Sequence, residues 1–132
     1  MAILFSIDDE KELYSLWIAL LEAKFHPEPE MPEVQGSSFV ARLIEKVINS
    51  LIAYEESQYN AGNAERYSEH LKRGERIVNV LPVVRKHIQS VRDEMWQNWT
   101  KEQKESFVKD LLSPFEISET LFRELINNKG KN

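Results

Sequence analysis

The chain has 132 residues, 42% hydrophobic and 30% charged, with a net charge of −5 and no cysteine. That length fits one domain, residues 1–132, and the lack of cysteine excludes disulfides, thiolate metal sites and cysteine nucleophiles. Four glycines and five prolines are too few for a collagen-like or Gly/Pro-rich disordered chain.

Residues 1–36 carry −6, and the remainder is nearly balanced at +1. The opening residues lack the basic, then apolar, pattern of a signal peptide. No stretch approaches the roughly 18 apolar residues of a membrane span. With no cysteine, a cytoplasmic location is expected.

Every long periodic segment has the helical repeat, so the fold class read here is all-α: a bundle of about five helices. The first helix is expected from about Ile7 to Phe25, with Ser6 and Asp9 at capping-box spacing. Leu13, Leu16, Trp17, Leu20 and Leu21 form its apolar stripe. Residues 26–36 alternate prolines with acids and read as an extended connection. The next helix starts at Ser37 or Ser38 and runs to about Tyr59. Its stripe of Val40, Leu43, Ile44, Val47, Leu51 and Tyr54 is widened by Ile48 and Ile52, which implies burial against more than one neighbour. Asn60 to Asn63 reads as a break, with Gly62 suited to a left-handed cap and Asn63 to the next N-cap.

From Tyr67 to Trp99, apolar residues recur at steps of three and four across Pro82 without a change of phase. This predicts one long helix over residues 64–99, about 54 Å, kinked or interrupted at Pro82. Gly74 lies on the stripe, where another helix has room to approach. Thr100 and Gln103 form a capping box that opens a helix to Leu112. Ser113, Pro114 and Glu116 then read as N-cap, first helical residue and third, starting a last helix to about Asn127. Residues 127–132 read as a flexible tail.

No phosphate-binding glycine loop, zinc-protease motif or calcium loop is present. Glu65, Glu69 and His70, with Glu55 and Glu56 across the turn, come nearest to a metal cluster. His70 diverges from the two glutamates, so a solvated face is expected and neither metal nor cofactor is assigned. Arg66 and His70, four apart and near Tyr67 and Tyr59, have the composition of an acid–base pair acting on phosphate esters. Arg66, Arg73, Arg76, Arg85, Lys86 and Arg92 form the candidate anion or nucleic-acid contact. With Lys72 they leave a local charge of +5 over residues 66–92. The same cations are suited to receive the acidic leader, Asp8 to Glu33.

Val84, Ile88, Val91 and Met95 are expected to lie on an overhanging helix, with Trp96 partly exposed as an anchor. These five residues are the candidate interface of a homodimer. The functional expectation is therefore a non-catalytic helical protein–protein interaction or regulatory module: an adaptor, an inhibitor or immunity-type protein, or a complex subunit. Its expected partners are a second copy and another protein, with no membrane. The alternatives are a nucleic-acid-associated regulator using the basic residues, or a small helical phosphoesterase or nucleotide-acting enzyme.

Overall fold

The structure, a computed structural model, describes residues 3–58, 61–73 and 77–129; for residues 61–63, 73 and 77–79 it describes the backbone alone. Helix makes up 76% of it, and no strand occurs among the described residues. Among the described residues eight helices follow in order: α1 (Glu10–Lys24), α2 (Glu33–Gly36), α3 (Ser38–Gln58), α4 (Ala61–Arg73), α5 (Ile77–Ser90), α6 (Asp93–Asn98), α7 (Lys101–Leu112) and α8 (Glu119–Asn127). None of the described helices is long and apolar enough to cross a membrane.

The central element is α3, which packs against α1, α4 and α7. Its wide stripe serves these neighbours together, and Ile44, Val47, Ile48 and Leu51 are all buried. Trp17 and Leu21 come from α1, Val80, Val84 and Ile88 from α5, and Val108, Leu111 and Leu112 from α7. Phe115, Phe122 and Leu125 close the same core from the C-terminal side. Burying such side chains removes apolar area from water at roughly 25 cal/mol per Å².

Local signals set several ends. Asp9 caps α1: its backbone is extended and its carboxylate accepts from the Lys11 N–H at 3.2 Å. The expected Ser6 box therefore gives way to a later start. Asp9 as cap puts Glu10 and Glu12 in the first turn, where the helix dipole favours acids. Thr100 and Gln103 make both halves of the predicted box, at 3.1 and 2.8 Å. Thr100→Ala is expected to lower stability by about 1 kcal/mol, as a shift of the urea midpoint with unchanged slope.

The expected connection at 26–36 contains the single-turn helix α2. Gln35 is buried and donates to the His26 carbonyl at 2.8 Å, tying that turn to the end of α1. Gly36 lies against His87 of α5, and a β-carbon there would come within 2.8 Å of the His87 ring. That approach half-buries the imidazole, which also packs on Phe107 at 5.9 Å, and burial lowers its pKa.

Three expected boundaries are corrected. Gly62 and Asn63 are not caps. The chain is already helical at Ala61, so both lie in the first turn of α4, while Tyr59 and Asn60 fall outside the described residues. Residues 64–99 are not one 54 Å helix. Pro82 stands inside α5 on an exposed position, and the helix instead ends at Ser90. Arg92 is extended (φ −60°, ψ 138°), which breaks the helix and lets Asp93 and Glu94 start α6. Gly74 and its neighbours lie outside the described residues.

Ser113 is not a helix start either. It ends α7, its N–H donating to the Lys109 carbonyl at 2.9 Å, and it precedes a cis Ser113–Pro114 bond. Phe115 turns into the core and meets Phe25 at 5.5 Å between ring centres. The last helix begins five residues later, at Glu119, capped by Ser118. Beyond α8, Lys129 pairs with Asp93 at 3.0 Å and lies over the Trp96 ring. Residues 130–132 are outside the described set.

Candidate functional site

A half-open cleft of about 470 Å³ lies where α3, α4, α7 and α8 meet the 113–118 turn. Ile48, Leu112, Pro114, Phe115, Ile117 and Phe122 supply its apolar wall; Glu45, Asn49, Lys72, Lys109, Glu116 and Glu119 bring polar groups to its edge. Lys72 of α4 pairs with Glu116 at 3.4 Å, joining α4 to the 113–118 turn. Glu119 accepts from Arg123 at 2.7 Å, a one-turn pair on α8.

Next to this cleft is a buried charge, the only fully buried ammonium among the described residues. The Lys24 ammonium is fully buried and donates to the main-chain oxygens of Asp110 and Ser113, the latter at 2.6 Å. These are late carbonyls of α7, at the negative end of its dipole, where a cation is favoured. Burial nevertheless lowers the Lys24 pKa from 10.5 to about 7, against the opposing pull of Asp110 and Glu45. The Ser113 hydroxyl donates to Glu45 at 3.3 Å.

A lysine of lowered pKa beside a serine has the composition of an acylating pair. The hydrogen bonds say otherwise. The Lys24 nitrogen is committed to two backbone oxygens, the serine hydroxyl faces a carboxylate, and both residues are buried. The group fastens α1 to the end of α7. Sequence reading missed it because Lys24 has the spacing of an ordinary last-turn lysine; its depth becomes evident only when α7 and the 113–118 turn lie over it.

The predicted interface set is divided by the fold. Val84 and Ile88 are 1% exposed, covered by this chain's own α7 and neighbours, so no overhanging stripe exists there. Val91 is half-buried and Met95 is 47% exposed. Trp96, expected to be half exposed, is buried, with its ring against Trp99 at 5.7 Å and Phe107 at 6.4 Å. The break at Arg92 rotates α6 relative to α5, which turns Trp96 inward and Met95 outward.

Of the predicted basic set, Arg66 lies on α4, Arg85 and Lys86 on α5, and Arg92 between α5 and α6, all exposed. The Arg73 side chain and Arg76 fall outside the described residues. His70 is exposed beside Arg66, but Tyr67 is half-buried. Its phenol pKa is raised by burial, then by Glu10, Tyr14 and Glu55 around it, on α1 and α3. The tyrosine therefore faces the bundle. Among the described residues no group of three or more His, Asp or Glu is placed to hold a metal ion.

Apolar side chains are exposed elsewhere too: Met31 in the 26–36 connection is 61% and Tyr14 on α1 43% exposed, and larger groups occur in two places. Ile3, Leu4 and Phe5 precede α1 without secondary structure and are 83–97% exposed. On α3, Phe39 is 75% exposed, and Leu43 and Tyr54, at the edge of the buried stripe, are each 44% exposed. The Arg42 guanidinium lies 4.8 Å from the Phe39 ring centre, a cation–π contact in water. Phe39 was not singled out from the sequence, and Leu43 and Tyr54 were assigned to the core stripe. Comparison with protein-family models, curated proteins and solved structures finds no match to this chain.

Proposed function

We propose that this chain is a non-catalytic helical protein–protein interaction or regulatory module. The carrying observation is the exposed apolar surface on α3 and in the segment before α1. Five of the side chains involved, Ile3, Leu4, Phe5, Phe39 and Leu43, belong neither to the buried core nor to the partly buried side chains packed against it. Large apolar side chains grouped in water mark surfaces that a partner covers. The polar groups at the cleft support the same reading, because Lys24, Ser113, Glu45, Lys72 and Glu116 are engaged in bonds that hold helices together.

The test compares the intact chain with two surface variants, Phe39→Glu and the double variant Leu4→Asp, Phe5→Asp. Circular dichroism is expected to show unchanged helix for both. Affinity capture with mass spectrometry, run beside sedimentation, is expected to show associations of the intact chain that one or the other variant loses. Phosphate-ester turnover that disappears in Arg66→Ala or His70→Ala would instead establish an enzyme.

A further inference from the structure

We infer that residues 3–9, the apolar and acidic segment before α1, dock on the outward side of α3 in a second copy of this chain, and that the exchange is reciprocal. The inference rests on the interaction reading above and names both the surface and its occupant.

The surface is the first half of α3. At 100° per residue, the buried Ala41, Ile44, Val47, Ile48 and Leu51 share one side of this helix. Phe39, Arg42 and Lys46 lie within about 40° of the opposite direction, and Leu43 lies between Phe39 and the buried stripe. All four are exposed. Glu45, the one carboxylate in residues 38–46, lines the cleft and accepts from the Ser113 hydroxyl. The outward side therefore offers two apolar groups and two cations. Arg42 stacks on the Phe39 ring. Among the described residues, neither Arg42 nor Lys46 has a salt-bridge partner. Such a surface suits an occupant that carries apolar residues beside carboxylates.

Residues 3–9 have that composition. Ile3, Leu4 and Phe5 are 83–97% exposed, and Asp8 and Asp9 follow them, also exposed. Asp9 is engaged as the α1 cap; Asp8 has no salt-bridge partner among the described residues. The spacing fits as well. Phe5 and Asp8 stand about 10 Å apart in extended chain, and Phe39 and Lys46 about 10.5 Å apart along α3. A segment lying parallel to α3 sets Ile3 to Phe5 over Phe39 and Leu43, with Asp8 at the Lys46 ammonium.

The segment does not reach this face in its own copy. Glu10 and Glu55 both flank Tyr67, and Glu45 lies by Lys24, so α1 runs antiparallel to α3. Glu10 is thus level with Glu55, about 24 Å along α3 from Phe39. Because α1 packs against α3 through the buried side, the segment would also have to pass around a helix about 10 Å wide. Residues 3–9 fully extended span only about 24 Å. A second copy has no such restriction. Exchange in both directions uses each contact twice and closes the pair as a two-fold dimer.

Sedimentation equilibrium of the full chain from about 1 to 500 µM is expected to show monomer and dimer, with a dissociation constant of micromolar order. Phe39→Glu, and the double variant Leu4→Asp, Phe5→Asp, are each expected to be monomeric with an unchanged helical signal. Mixed in equal amounts, the two are expected to associate again, more weakly than the intact chain. One then contributes an intact segment and the other an intact α3 face. Lys46→Glu and Asp8→Lys are each expected to weaken the dimer roughly five-fold, each charge being used twice, and the two together to recover most of that loss. A monomer at all concentrations overturns the inference, as does a dimer that survives either variant or a mixture that stays monomeric. A strictly monomeric chain that captures another protein, and loses it in Phe39→Glu, leaves the interaction reading standing and removes only the second copy. A monomer that captures nothing removes both.

Discussion

Lys24→Ala is expected to destabilise the protein by about 3–5 kcal/mol, a fall of roughly 10–20 °C in melting temperature for a domain of this size. Two losses combine. The Asp110 and Ser113 carbonyls are left without the donor that reaches them in the intact chain, and each such buried group costs about 1–3 kcal/mol. The missing stem also opens a cavity beneath the end of α7. Lys24→Met fills most of that space and removes a costly buried charge, so its loss is expected to be smaller. The pair of variants separates packing from hydrogen bonding.

The same lysine gives a pH signature whose sign follows from its shift. Its pKa is about 7 in the folded protein, against 10.5 without burial. Below pH 7 the amine is charged in both folded and unfolded chains, and the full cost of burying the charge is present. Between pH 7 and 10.5 the unfolded chain binds the extra proton, so stability rises with pH. The stabilisation is complete above the unfolded pKa and lost as pH falls through the folded one. The full span is on the order of 5 kcal/mol. Urea unfolding of the intact chain and Lys24→Met, from pH 6 to pH 10, isolates this contribution. The difference between them should grow in favour of the intact chain as pH rises; a flat difference would show that Lys24 keeps its charge when folded.

Trp96→Ala is expected to cost about 3–5 kcal/mol and to unfold the α6–α7 region rather than dissociate subunits. The indole holds α6 onto α7 by packing with Trp99 and Phe107, and Trp99 meets Phe107 at 5.1 Å. Lys104 and Lys129 lie 5.4 and 5.9 Å from its ring centre, and Lys129 also reaches Asp93. Removing the ring therefore loosens α6, the start of α7 and the residues after α8 together. Calorimetry should show a lower melting temperature, and hydrogen exchange the greatest loss of protection over residues 93–108. Were Trp96 an interface anchor, its removal would leave monomer stability unchanged and alter only the concentration dependence of association.

What the sequence determined by itself was local. The repeat of three and four specifies helices, because side chains at those spacings share one face and must be buried together. The Thr100–Gln103 box needed only four residues of the chain, and it stands where the spacing put it. The width of the α3 stripe implied several neighbours, and α1, α4 and α7 are those neighbours. Pro82 fell inside a helix because the apolar phase continues on both sides of it.

What only the tertiary structure decided was non-local. An unbroken phase from Tyr67 to Trp99 was compatible with a single helix, yet the chain turns at Arg92. Folding α6 back onto α7 buries Trp96 against aromatic rings, which an extended rod would leave in water. That turn took Val84 and Ile88 from a supposed surface into the core and brought Met95 out. Ser113 and Pro114 carry a helix-start pattern, but Ser113 ends α7 and its carbonyl is held by a lysine 89 positions away. No spacing rule sees a partner at that distance. The depth of Lys24 and the exposure of Phe39 have the same origin: burial belongs to the packed arrangement of helices, and a sequence window records only which faces are able to pack.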